Sequence, residues 1–146
     1  MPLAETEQFG VLEYQEQAAL RFPRGLPGFE QASRFVLVKQ PDLAPLIHLQ
    51  SLESANLCFL AMPIHAIDSE YRLSILPEDA ELLEVDLDGS ASVLLLALLA
   101  VTKQGQLSAN LLAPIVINLS LHLAVQAVRI DTVYSHEHLL GGASCW

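Results

Sequence analysis

The side chains best suited to chemistry in this 146-residue sequence are five histidines and two cysteines, and their spacing decides what they can do. His136-Glu137-His138 places two imidazoles on one side of an extended strand with Glu137 pointing away, so a metal centre would need a further ligand from elsewhere in the chain. Cys58 lies between Leu57 and Phe59. Nothing adjacent lowers its pKa, so it reads as a small buried or semi-buried thiol rather than a nucleophile. His48 and His65 stand alone in apolar contexts. These spacings assign no catalytic residue, no metal and no cofactor.

Charge is the stronger signal. Seven Lys and Arg against 17 Asp and Glu give a net charge of -10. A surface of that sign repels phosphate backbones and disfavours direct nucleic-acid binding. It favours encounter with basic protein partners. Asp68, Glu70, Glu78, Asp79, Glu81, Glu84, Asp86 and Asp88 face a single cation, Arg72, in one stretch of sequence. That stretch is either the electrostatic part of a partner surface or a solvated face that keeps the protein soluble.

At 52% hydrophobic and 16% charged residues, the chain has ample apolar material for one domain over 1–146, with its core in about 11–140 and residues 141–146 expected to fray. The longest apolar run, Val93–Val101, is about half of the roughly 18–20 residues that a membrane helix requires. The acidic start lacks the basic and apolar regions of a secretory leader, and Cys58 and Cys145 read as free thiols; both point to the cytoplasm.

Short apolar runs separated by turn residues predict a mainly β, single-domain, antiparallel barrel-like fold with one or two short helices. Residues 34–40, 46–52 and 57–62 read as strands, the last two joined as a hairpin across Glu53-Ser54-Ala55-Asn56. Residues 71–75 alternate as a strand with one wet face does. A two-turn helix begins after Leu76, with Pro77 at its first position and Glu78, Asp79 and Glu81 near its positive end. Asp88-Gly89 turns into a strand over 92–102, and Lys103-Gln104-Gly105-Gln106 forms a hairpin tip into 107–112. Pro114 interrupts the chain, so 115–118 starts afresh near an edge or bulge. Residues 119–130 complete the sheet, apolar on both faces and therefore buried on both.

Two strings carry the most specific information. In Phe22-Pro23-Arg24-Gly25-Leu26-Pro27-Gly28-Phe29-Glu30, the Leu26–Phe29 segment has the signature of a type II turn: Pro27 fixes φ at the first central position and Gly28 supplies positive φ at the second. Phe22 and Phe29 are expected to anchor either end in the core, with Arg24 and Glu30 outward. In Asn110-Leu111-Leu112-Ala113-Pro114-Ile115-Val116-Ile117-Asn118, the two asparagine amides can satisfy turn backbone groups around the interrupted strand. In identity, order and spacing these strings, with Leu49-Gln50-Ser51-Leu52, Phe59-Leu60-Ala61-Met62-Pro63, Tyr71 and Leu76-Pro77 between them, resemble the flagellar assembly factor FliW family over residues 13 to about 140.

The resemblance implies a regulatory binding protein rather than an enzyme. Members antagonise CsrA, a basic dimeric RNA-binding regulator that represses flagellin translation, and are sequestered by cytoplasmic flagellin, so the two partners are mutually exclusive. On that basis Asn56, Leu57 and Phe59 are expected to form a neutral, apolar centre, with Glu78, Asp79, Glu81 and Glu84 as an acidic rim. One departure stands out. Where the family usually has a polar, basic turn after Asn118, this chain reads Leu119-Ser120-Leu121-His122-Leu123-Ala124. The alternative from a different class is a small β-barrel that holds an apolar ligand inside itself, since several strands are apolar on both faces.

Overall fold

The computed structural model describes residues 1–86, 93–129 and 133–140. The expectations placed on Asp88-Gly89, Ser92, Ile130, Cys145 and the 141–146 tail lie outside the described residues. The strands are β1 (Leu3–Thr6), β2 (Gly10–Glu13), β3 (Leu20–Arg21), β4 (Arg34–Lys39), β5 (Ile47–Ser51), β6 (Cys58–Pro63), β7 (Val93–Val101), β8 (Leu107–Ala109), β9 (Ile115–Asn118), β10 (Leu123–Gln126) and β11 (His138–Leu139). One α-helix, α1 (Pro77–Leu83), accompanies them among the described residues.

Seven strands close on themselves in the order β7-β6-β5-β4-β3-β10-β9 and back to β7. Closure removes the open edges that an unpaired sheet would present. All of these pairings are antiparallel except the seam between β3 and β10, where Leu123 lies opposite Arg21 in a parallel step. The long strand β7 outruns the barrel. Its first half pairs with β9 and its last residues with β8, so that Leu96 faces Ile115 and Leu99 faces Ala109. Between those two registers the chain from Asn110 to Pro114 forms a large bulge.

The two-sided apolar character of the strands is explained by two cores. Inside the barrel, Phe22, Leu26, Phe35, Leu49, Leu96 and Ile117 pack together. Outside it, Ile64, Tyr71, Leu83, Leu111, Val116 and Val125 form a second cluster between β7, β9, β10 and the covering segments. A strand with both faces buried carries a continuous apolar run rather than an alternating one, and β7 and β9 do.

Several sequence expectations are corrected. Ile115–Asn118 is not an edge strand: all four residues are buried and pair on both sides, so of the edge and the bulge only the bulge exists. Residues 71–75 keep the expected alternation of burial but form no ladder; their inward side chains pack on the outer core instead. The strand expected over 119–130 is shorter. Asn118 Oδ1 accepts the Ser120 and Leu121 N–H groups (3.0 and 3.3 Å), and His122 takes φ +56°, so residues 119–122 turn before β10 begins. Residues 3–13, most of them ahead of the expected core, form the separate β1–β2 hairpin.

Candidate functional site

The loop of residues 22–32 leaves the barrel at β3 and returns at β4. Phe22 is fully buried and meets Phe35 edge-on at 5.2 Å. The Phe22 N–H donates to Ser33 O (2.7 Å), closing the base of the loop. At its tip the Phe29 N–H donates to Leu26 O (2.7 Å) and the Leu26 N–H to Phe29 O (3.3 Å), with Gly28 at φ +84°. This is the expected type II turn. The stricter glycine is Gly25. At φ +65°, a Cβ added there would sit 2.5 Å from the backbone oxygen of Glu30, whereas one at Gly28 would meet nothing within 4 Å.

Phe29 does not anchor the core. It is 44% exposed and lies edge-on against Phe59 at 5.6 Å, because Phe22, Leu26 and Phe35 already occupy the barrel interior beneath it. Arg24 is not free either: its guanidinium is hydrogen-bonded and ion-paired to Asp79, whose side chain is 3% exposed. Asp79 is therefore no part of an exposed rim. Its position on a seven-residue helix turns it inward with Ala80 and Leu83, and it binds α1 to the loop. Glu78, Glu81 and Glu84 are exposed as expected, and Glu84 ends the helix in the left-handed region at φ +56°.

On the opposite side of the loop stands the β5–β6 hairpin. Asn56 is exposed, Leu57 and Phe59 are half-buried, and Ser51 Oγ accepts the Glu53 and Ser54 N–H groups (3.1 and 3.0 Å) to shape the turn. Glu53 Oε1 reaches back to accept the Ser33 and Arg34 N–H groups at 2.7 and 3.0 Å. The Ser33 N–H chiefly, with help from Arg34, holds this carboxyl below the ordinary glutamate value against the opposing effect of burial. The sequence offered no signal for that role, since the groups Glu53 binds lie 20 residues earlier.

The expected single face, an apolar centre rimmed by acid, is thus divided by the loop into two clefts. One, of about 520 Å³, lies on the helix side between Arg24, Pro27, Leu76, Gln126 and Val128. The other, of about 500 Å³, lies on the hairpin side between Gly28, Phe29, Ala32, Glu53 and Leu57. Glu30 lines both.

The asparagines of the second string act as expected. Asn110 Oδ1 accepts the Leu112 and Ala113 N–H groups (3.1 and 3.0 Å), and Asn118 Nδ2 donates to Leu83 O at 2.8 Å, tying β9 to the end of α1. Pro114 is buried at the end of the bulge. The turn after Asn118 exposes Leu119 and Leu121, 45% and 52% accessible. Sequence reasoning missed Arg129, which is buried, donates to Arg72 O (2.5 Å) and lies over the Tyr71 and Tyr134 rings at 5.3 and 4.8 Å.

Of the residues considered for chemistry, Cys58 is half-buried on β6, and burial raises its thiol pKa, which opposes thiolate reactivity. His48 stacks edge-on with Phe9 at 5.1 Å, and the His65 ring Nε2 lies 3.2 Å from Tyr71 O. His136, Glu137 and His138 are all exposed, and no group of three or more potential metal ligands occurs among the described residues. The interior that an apolar ligand would need is filled by the barrel's own side chains.

Fold and surface together define a small closed β-barrel with a packed interior, whose distinctive chemistry is displayed on a hydrogen-bonded loop and its flanks. The FliW protein family model matches residues 3–140, and the chain belongs to that family. It is 32% identical over 144 residues to the flagellar assembly factor FliW of Bacillus subtilis (strain 168), covering 98% of this chain and 99% of that one. It is 33% identical to the protein of the same description from Heliobacterium modesticaldum, covering 96% and 91%. A crystal structure of the flagellar assembly factor FliW superposes with a TM-score of 0.85 at 31% identity, covering 97% of this chain and 98% of that one. Those proteins are described by an assembly role rather than by a catalysed reaction.

Proposed function

We propose that this chain is a flagellar assembly factor that acts in the cytoplasm as a partner switch. It binds the basic regulator CsrA away from its RNA surface, relieves repression of flagellin translation, and is taken back by flagellin when flagellin accumulates. The observation that carries this reading is the loop of residues 22–32, tied down by its own hydrogen bonds between two clefts that share Glu30 on a chain of net charge -10. A surface built on a hydrogen-bonded backbone suits recognition without reorganisation. Two ligands that both need the shared segment exclude one another, which is negative coupling between their binding free energies. The acidic balance favours a basic partner and opposes direct contact with RNA.

Immobilised chain exposed to CsrA, flagellin and flagellin leader RNA tests this. CsrA and flagellin should each bind, each should displace the other, and the RNA alone should not bind at physiological salt. A stable complex containing all three proteins, or retention of the RNA, would overturn the switch.

A further inference from the structure

The cleft between the Gly28 turn and the β5–β6 hairpin has a chemistry more specific than acidity. Its two carboxylates each spend one oxygen on the protein's own backbone: Glu30 Oε2 accepts the Gly28 N–H at 2.9 Å, and Glu53 Oε1 accepts those of Ser33 and Arg34. Among the described residues, neither Glu30 Oε1 nor Glu53 Oε2 has a hydrogen-bond partner, and neither carboxylate has an ion pair. The Arg34 guanidinium bonds Glu16 at 2.7 Å, and its charge also acts on Glu53 without forming an ion pair with it. The cleft's wall includes Phe29, 44% exposed and held edge-on by Phe59.

We propose that this cleft receives an arginine side chain from a basic protein partner, its guanidinium forked between Glu30 and Glu53 and stacked on Phe29. A planar, multiply donating cation matches two fixed acceptors beside an aromatic face better than a compact ammonium does. Binding it costs little reorganisation, because the backbone bonds that orient both carboxylates already exist. Two carboxylates fall short of the six to eight oxygens that a calcium ion takes. That the arginine belongs to CsrA rests on the function proposed above; the side-chain specificity of the cleft does not.

The test uses the intact chain and the double variant Glu30→Gln with Glu53→Gln. Each glutamine keeps a carbonyl oxygen for the backbone N–H groups while removing the charge, and unchanged amide spectra elsewhere check the fold. Nitrogen-15-labelled protein titrated with N-acetyl-argininamide should show shifts centred on the Gly28, Glu53 and Leu57 amides, saturating in the range of a weak single-side-chain contact, on the order of millimolar. The uncharged citrulline analogue should give none, and the double variant should lose the response to arginine. No shift at those amides, or an equal response to citrulline, overturns the assignment. With CsrA, the double variant should bind roughly tenfold more weakly than wild type at low salt. Equal capture by both would overturn the proposed role of the cleft. If CsrA fails to bind even the wild-type chain, the partner switch falls, and the arginine titration still decides what the cleft recognises.

Discussion

Gly25, rather than the more conspicuous Gly28, should be the residue on which the loop depends. Both hold positive φ, so an alanine at either meets the left-handed penalty of about 1–2 kcal/mol. They differ in space. A Cβ at Gly28 meets nothing within 4 Å, so Gly28→Ala should cost little beyond that penalty, and Gly28→Val somewhat more, about 1–3 kcal/mol. A Cβ at Gly25 would lie 2.5 Å from Glu30 O and 2.7 Å from Glu30 C and Cα, all of them backbone atoms that cannot rotate away. Relieving that overlap means displacing the strand of loop that carries Glu30 and straining the Leu26–Phe29 bonds, which brings the expected cost of Gly25→Ala to about 3–5 kcal/mol. For a chain of this size that corresponds to a fall in Tm of roughly 6–20 °C, against roughly 2–8 °C for Gly28→Ala. Urea titrations of the two variants, read at constant m-value, measure the difference directly. Equal midpoints, or a greater loss from Gly28→Ala, would show that the contact between Gly25 and Glu30 does not constrain the loop.

Other consequences can be checked alongside. Arg24→Ala leaves the Asp79 carboxylate buried without its partner and should cost roughly 2 kcal/mol, less than for a fully buried pair because Arg24 is 45% exposed; a double-mutant cycle with Asp79→Ala that gives no coupling would remove the ion pair as a tether between loop and helix. The Glu53 carboxyl has its pKa lowered in the folded state, so its contribution is present above the ordinary value near 4.5 and is lost as pH falls through the lowered one; Glu53→Gln should therefore flatten the acid limb of stability, and an unchanged limb measured by denaturant midpoints would refute it. Reversing the exposed Glu78, Glu81 and Glu84 to Lys, with buried Asp79 left intact, should slow association with CsrA about tenfold at low salt and much less at high salt; an unaltered low-salt rate would mark these three as a solubilising surface.

The barrel was legible in the sequence wherever one local pattern decided the outcome. β4, β5, β6 and β7 are runs rich in apolar residues bounded by turns, and the tip at Lys103-Gln104-Gly105-Gln106 closes as its composition implies, with the Thr102 N–H on Gln106 O at 2.7 Å. Where a neighbour decides, the pattern misleads. Residues 71–75 alternate like a strand, yet lacking a partner ladder they serve as a lid on the outer core. β3 has two residues, too few to show any period, and it is a strand only because β4 and β10 flank it. The reading of 119–130 as one strand failed because a single amide, Asn118 Oδ1, caps a turn within an apolar run. Hydrophobicity alone carries no trace of such a cap.

The site divides along the same line. Pro27-Gly28 specifies its turn from adjacent residues, so the geometry at the loop tip followed from the string itself. Where that tip sits depends on groups far away in sequence: Asp79 is 55 residues from Arg24, and Glu53 is 20 from Ser33. A carboxylate in a run of carboxylates looks solvated, which is why Asp79 read as rim when it is a buried tether, and why Glu53 attracted no attention as a turn residue. The charge count was the same in either case; what differed was which acids the fold used to hold its own backbone and which it left facing outward. Asp79 is spent entirely inside the protein, Glu78, Glu81 and Glu84 lie outside it, and Glu30 and Glu53 divide their oxygens between the two. Only the last arrangement combines a backbone-held position with an acceptor facing outward, and a recognition site requires both.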